Sequence, residues 1–326
     1  MGKKALVTGA TGFIGSRIAD QLMLGGVSVQ YLVRSNHDGL STMTDHVIVG
    51  DIRDPAVARK ATSGVDTVLH FAAAVHRRAT EDEFRSMNVE GTRNIAQAAA
   101  ANGVDHFVFA SSVSVYGSGN VIFNEDSQCK PDTPYGRSKL MAEEALEAVA
   151  EETGMDATIL RLSTVYGEGE PGNISRLIKA VAKYGPIVMG KGSNRKSMTY
   201  VGNVAALCSQ LVRNGSPERV SVVNVADPEP YRLDSIVTAI SRALGRPDRL
   251  FRVNKELALI GSWCLDTAAG LLSRHSPVTP DQVKKMTANS MCDVTKLQQQ
   301  YGFAPDILLE EGMSKTVDWY VSNGGI

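Results

Sequence analysis

The chain carries only four cysteines, Cys129, Cys208, Cys264 and Cys292, and none stands in a C-x-x-C pair or a disulfide-framework spacing. A dithiol redox motif, a cysteine-rich zinc site and a disulfide staple are thereby excluded, and 326 residues are enough to bury a core without them. No metal site is expected. There is also no excess of charge of one sign: 34 basic and 35 acidic residues nearly cancel, and no lysine/arginine block stands out. A surface built to track a phosphate backbone or an anionic membrane is therefore not expected, nor is a nucleic-acid partner. The chain opens on Lys3, Lys4 and a strand-like run with no signal-peptide pattern. The longest apolar stretch of the second half, Leu257 to Leu272, is broken by Asp266 and falls short of the about 20 residues of a spanning helix. It reads as a packed helix, the chain as lacking an integral membrane segment, and the setting as reducing and cytoplasmic.

The first half alternates short β-branched runs with helical patterns, the rhythm of a doubly wound parallel sheet. Strands are expected at Ala5 to Thr8, Ser28 to Val33, His46 to Val49, Thr67 to Phe71, Phe107 to Ser111 and Ala157 to Leu162, with helices at Gly12 to Leu24, Phe84 to Ala101 and Pro134 to Glu152. After Gly167 the glycines and prolines crowd into a loop-rich region, and helical patterns return from Leu233 to Leu244 and from Pro280 onward. The expected class is α/β, a Rossmann-type doubly wound sheet with a smaller, mostly helical C-terminal substrate lobe. Residues 1–167 and about 199–227 would form the first unit, and 168–198 with 228–326 the second.

Between the first strand and the first helix the sequence reads TGATGFIG, with Gly9, Gly12 and Gly15 at a G-x-x-G-x-x-G spacing. Glycines there let backbone approach a pyrophosphate, and the helix start supplies free N–H groups and the positive end of its dipole. A dinucleotide is expected. The second strand ends in Val33 and Arg34, where an acid would hold an NAD ribose diol; Arg34 instead offers a fork for a 2′-phosphate and points to NADP over NAD. Asp51, before Ile52, is placed to accept from an adenine amino group.

In PYGRSK, Tyr135 and Lys139 stand four apart at a helix start with Pro134 in the first turn, so they share one face. A free tyrosine, with a pKa near 10, needs a neighbouring cation to act as a base at neutral pH, and Lys139 can supply one.

With Ser111 and Ser112 these motifs resemble the short-chain dehydrogenase/reductase superfamily in its extended, nucleotide-sugar epimerase and dehydratase branch. The resemblance runs through GDIRD at Gly50, HFAAA at His70, NVEGT at Asn88, SSVSVYG at Ser111 and VYGEG at Val165. It implies that Ser112 orients the sugar oxygen, that Tyr135 is the acid/base, and that Lys139 binds the nicotinamide ribose and lowers the tyrosine pKa, Ser111 being the structural alternative to Ser112. It also implies cofactor contacts from Gly9, Thr11, Gly12, Phe13, Ile14, Gly15, Arg34, Asp51, Ile52, Ala72 and Ala73, besides Tyr135 and Lys139. On the substrate side it implies Thr164, where several epimerases have asparagine, and Asn173, which holds the diphosphate. Lys196 stands at the usual arginine position, with Arg195 as its possible substitute. Val113 and Ser114 replace the Asp-Glu pair of 4,6-dehydratases and no cysteine follows the serine, which leaves single-carbon chemistry at C4 of a nucleotide-linked, UDP-type hexose. The stretch Tyr184 to Asn203 and the tail with Trp319 and Tyr320 resemble bacterial UDP-4-keto-6-deoxy-hexosamine reductases of surface-polysaccharide synthesis. A 4-keto reductase is favoured over a UDP-hexose or UDP-N-acetylhexosamine 4-epimerase, with a reductase of an apolar ketone or aldehyde as a further alternative. Relatives pair through the Phe84 and Tyr135 helices, so a homodimer is expected.

Overall fold

The computed structural model describes residues 2–35, 46–75, 79–254, 256–257, 259–260, 263 and 280–326. Seven parallel strands form the central sheet: β1 (Lys4–Thr8), β2 (Ser28–Val33), β3 (Val47–Val49), β4 (Thr67–His70), β5 (His106–Ser112), β6 (Asp156–Leu162) and β7 (Val220–Val225). Their order across the sheet is β7-β6-β5-β4-β1-β2-β3. The chain thus starts in the middle and winds outward both ways, which opens a crevice beyond the C-terminal ends of β1 and β4.

Both faces are covered because both faces are apolar. Ala5 and Val7 of β1 pack with Ile18 and Leu22 of α1 (Phe13–Leu24) and with the later helix Val201–Asn214. Leu6, between them, points into the other layer, with Ile95 and Ala99 of the helix Gly91–Ala101 and with Ala142 and Leu146 of the helix Pro134–Thr153. A third apolar cluster, with Ile178, Val181, Ile236, Ile240, Met313 and Val317, packs the helices Asn173–Tyr184, Leu233–Ala243 and Leu309–Ser322 against one another.

Several expectations need correction. The Phe84 helix begins earlier, at Glu81, under a Thr80–Glu83 capping box, and is π-helical over Arg85–Glu90 before resuming as Gly91–Ala101. The list of strands lacked Val220–Val225, which pairs with β6 along its whole length. The C-terminal run is interrupted by the strand Met291–Cys292, which pairs with Ile122–Phe123. The second lobe also holds strand pairs, Ile187–Met189 with Phe251–Val253 and Arg195–Lys196 with Tyr231–Arg232. Of the apolar stretch Leu257 to Leu272, Leu257, Ile260 and Trp263 are exposed rather than packed, Leu259 is half-buried, and 258, 261–262 and 264–272 lie outside the described residues. Among the described residues no helix is long and apolar enough to cross a membrane.

Candidate active site

β1 ends in Thr8 and turns at Gly9, whose φ of 72° belongs to the left-handed region. A Cβ there would lie 2.7 Å from the Ala72 nitrogen, so only glycine lets the loop close on the end of β4. A Cβ on Gly15 would lie 2.2 Å from the Gly9 carbonyl oxygen, which fixes how tightly α1 seats on the loop. Gly12 is the N-cap of α1 and no side chain caps it. Thr11 and Gly12 are exposed, while Phe13 and Ile14 are half-buried at the first turn. A bare helix start above a cradle that admits no side chain fits a dinucleotide pyrophosphate.

The expected adenosine-end residues are partly committed elsewhere. Arg34 is exposed at the end of β2. Asp51 accepts from the Arg53 backbone and Nε at 2.9 Å and from Nη2 at 2.6 Å. The hydrogen bonds of Arg53 hold the Asp51 carboxyl below the usual range, with a smaller contribution from Arg34. The Ile52 side chain is buried under Gly91 and belongs to the core. Ala72 and Ala73 follow β4 and are half-buried, and the Ala72 N–H donates to Thr8 Oγ1 at 3.1 Å.

Tyr135 and Lys139 come from the helix Pro134–Thr153, whose start is fixed by Thr133 as N-cap and Pro134 in the first turn. Its first turns face the end of β5, where strand alternation sends Ser111 and Ser112 to opposite sides. Parallel register sets Ser111 beside Arg161 of β6, and the Ser111 hydroxyl donates to the Glu143 carboxylate. Ser112 instead meets the Tyr135 hydroxyl and accepts from the Ser114 N–H at 3.2 Å and hydroxyl at 3.0 Å. The two serines are thus divided: one ties helix to sheet, the other lies in the crevice with the tyrosine.

Lys139 is 2% exposed, with Nζ 4.2 Å from the centroid of the Phe109 ring. Burial pulls its pKa down to about 7, against a partial restoring effect of Glu143. Burial pushes Tyr135 up to about 12, and the Ser112 hydrogen bond opposes it. The expected depression of the tyrosine pKa is therefore not a property of the protein alone, since here desolvation raises it. Phenolate formation needs further positive charge at the site, which an oxidised nicotinamide would bring.

Two buried networks hold this pair, and neither is apparent from single motifs. On one side, Thr8 Oγ1 and His70 Nδ1 lie 2.8 Å apart, and His70 Nε2 lies 3.1 Å from Thr92 Oγ1. Thr92 donates to the Asn88 carbonyl at 2.6 Å, and Asn88 Nδ2 donates to Ser138 Oγ at 2.9 Å. The glycine loop and the catalytic helix are thereby connected through HFAAA and NVEGT. Burial drives His70 down to about 3, with Lys139 adding to the effect, so His70 is neutral. On the other side Arg161 Nη2 donates to Glu143 at 2.7 Å and Nη1 to the Tyr116 hydroxyl at 3.1 Å, with Tyr116 bonded in turn to Asn224. Glu143 and Arg161 had no place in the motif reading. Their signal was the i,i+4 spacing of Glu143 from Lys139, which puts a carboxylate on the same buried face.

The substrate-side residues are more scattered. Thr164 is exposed at the start of the strand Thr164–Tyr166. Asn173 is exposed at the first position of its helix, where Glu170 already accepts from the Gly172 and Ser175 N–H groups at 2.7 and 2.9 Å. Arg195 and Lys196 are neighbours on one strand and face opposite ways, Arg195 exposed and Lys196 half-buried. Burial lowers Lys196 to about 8. Arg195 cannot stand in for Lys196 from the other face of the strand.

The chain is 29% identical over 323 residues, 98% of itself and 96% of the relative, to an N-acetyl-α-D-glucosaminyl-diphospho-ditrans,octacis-undecaprenol 4-epimerase of Escherichia coli O157:H7. It is 27% identical over 332 residues, 98% of itself and 96% of the relative, to a UDP-glucose 4-epimerase of Vibrio cholerae. Among solved structures, MoeE5 in complex with UDP-glucuronic acid and NAD superposes with a TM-score of 0.76 at 25% identity, covering 99% of this chain and 100% of that one. The sequence profile of one family matches residues 5–226, through the glycine loop, Ser112, Tyr135 and Lys139, and the chain belongs to the NAD dependent epimerase/dehydratase family.

Proposed function

We propose that the protein is a 4-epimerase of a hexose carried on a diphosphate, using one tightly held NAD. The observation that carries this reading is the acid/base pair Tyr135 with Ser112, and Val113 and Ser114 where elimination would need carboxylates. A bound nicotinamide would supply the hydride acceptor and donor for C4. Tyr135, as phenolate, takes the proton of the C4 hydroxyl and gives it back to the C4 oxygen after the keto sugar has turned over. Ser112 donates a hydrogen bond to that oxygen and keeps it facing the tyrosine. Lys139, beneath the pair, holds the ribose and adds positive charge as the phenolate forms. Lys196 is the cation for the diphosphate, and the charge of that ligand restores the protonation that burial weakens.

The preference for a 4-keto reductase is replaced by epimerisation because both curated relatives described above are 4-epimerases. NAD replaces NADP for two reasons. The comparison structure carries NAD, and Asp51 lies within electrostatic reach of Arg34, so a 2′-phosphate would meet a carboxylate as well as the guanidinium. Pairing of two subunits through the helices Gly91–Ala101 and Pro134–Thr153, which pack on each other within the subunit, belongs to the same proposal, as does a site facing the cytoplasm.

The test is to purify the protein without added nucleotide, then release and identify what it carries. The reading expects NAD at close to one per subunit. An empty site that takes up NADPH in preference to NADH would overturn it in favour of a reductase, of a keto sugar or of an apolar ketone.

A further inference from the structure

The near-neutral total charge hides a strong local imbalance. Residues 171–217 contain Arg176, Lys179, Lys183, Lys191, Arg195, Lys196 and Arg213, and not one aspartate or glutamate. Within this stretch the helix Asn173–Tyr184 ends beside the strand Ile187–Met189, which pairs with Phe251–Val253. Arg252 ties the two strands' ends together by donating to the Lys191 carbonyl, and Arg246 donates to the Ala182 carbonyl at the helix end. Asn254 then caps a helical segment through the N–H groups of Glu256 and Leu257.

On this corner large apolar side chains point outward. Tyr184, Phe251, Leu257, Ile260 and Trp263 are each between 60% and 65% exposed, and Ile187 is 37% exposed. The spacing of Leu257, Ile260 and Trp263 puts them on one side of a helix. Lys183, Lys191, Arg246 and Arg249, on the segments that flank these strands, are exposed as well. The nearby acids Asp234 and Asp248 are held by Arg232 at 2.7 Å and Arg242 at 2.8 Å, which leaves Glu256 as the exposed acid of the helical segment. Exposed apolar and aromatic side chains accompanied by exposed cations form the pattern of a surface that lies in the headgroup region of an anionic bilayer, the aromatic rings at the interface and the cations on lipid phosphates.

We infer that this corner of the second lobe docks on an anionic membrane surface, and that the site takes its glycosyl diphosphate from a lipid carrier there. The second half of the inference rests on the 4-epimerase reading; the docking itself does not. It is supported by charge complementarity and by the relative from Escherichia coli O157:H7, whose named substrate is a sugar diphosphate on undecaprenol. The reversal from the sequence-based expectation has a simple origin, because a charge balance summed over the whole chain averages away a stretch, residues 171–217, in which all charges have one sign.

Flotation of the full-length protein with vesicles of phosphatidylcholine and phosphatidylglycerol, and with phosphatidylcholine alone, tests the docking. The protein is expected to float with the anionic vesicles at low salt and to be released by high salt. A Phe251→Ser/Leu257→Ser/Ile260→Ser variant, altered only at exposed positions, is expected to bind at least about tenfold more weakly, with unchanged Tm and unchanged turnover of a soluble UDP-sugar. A Lys183→Glu/Lys191→Glu variant is expected to lose the preference for anionic lipid while keeping its Tm. Failure of the wild type to float overturns the docking. So does concentration-dependent self-association in sedimentation that the serine variant abolishes, which would make the corner a contact between two copies. Flotation by a protein that epimerises no sugar would leave the docking standing and sink the 4-epimerase reading. Flotation with turnover of UDP-sugars but none of a vesicle-borne polyprenyl-diphospho-sugar would overturn the lipid-carrier half of the inference.

Discussion

At the scale of single residues, Lys139 is the costliest side chain in the site. Its pKa falls from 10.5 to about 7 on folding. An unfolded lysine therefore binds its proton below about pH 10.5, while the folded one does so only below about pH 7. The destabilisation is absent at very high pH, grows as pH falls between these values and is fully present below pH 7. Lys139→Met should therefore be inactive yet more stable than the wild type, by about 4 kcal/mol at pH 7, with the difference shrinking as pH rises toward 10.5. Urea unfolding of the two proteins across that range checks it, and a pH-independent difference would contradict the assignment of a buried, half-neutral lysine. At this scale the sequence was most legible where chemistry and spacing act together. Gly9, Gly12, Gly15, Tyr135 and Lys139 could be singled out because turn sterics and an i,i+4 face are local. Ser111 and Ser112 could not be separated by chemistry alone, and strand register separates them.

At the scale of elements, the helix Pro134–Thr153 is held to the sheet by a buried ion pair. Glu143 and Arg161 have side chains 2% and 7% exposed, and Ser111 and Tyr116 satisfy their remaining atoms. Burial works against the charge of Arg161, yet the bonds to Glu143 outweigh it and hold the guanidinium above its ordinary range. Removing one partner leaves the other charged and unpaired, so Arg161→Met should cost about 3–5 kcal/mol of stability, and addition of Glu143→Leu should recover much of it. Denaturant midpoints of the single and double variants check this; a neutral single variant would show that the pair carries no load between helix and sheet. These contacts join positions 18 apart in sequence across two elements, and the relay from Thr8 to Ser138 joins four. Such pairings depend on how strands and helices stack, so no window of sequence displays them. The π-helical turn at Arg85–Glu90 was invisible for the same reason: it places Asn88 to hold both Ala74 and Ser138, a constraint imposed by the fold rather than by propensity.

At the scale of the whole molecule, a doubly wound sheet brings the glycine loop, the β4 end and the Pro134–Thr153 helix together, and a third apolar cluster packs the later helices against one another. The alternation of strands and helices made the sheet legible from β1 to β6, whereas β7 was missed because the loop-rich region before it breaks the rhythm. The second lobe was legible in outline only, since its strand pairs are two or three residues long and its exposed apolar corner resembles a buried helix in composition. The central claim is that one tyrosine and one retained hydride invert C4 of a diphosphate-linked hexose. The most direct measurement follows N-acetylglucosamine deuterated at C4, on UDP and on a polyprenyl diphosphate, incubated with the protein and no added dinucleotide, by NMR of the released sugar. The account predicts that the galacto epimer accumulates with the deuterium still at C4 and that Tyr135→Phe abolishes it. No epimer from either carrier, or an epimer whose C4 deuterium has exchanged with solvent, would contradict it.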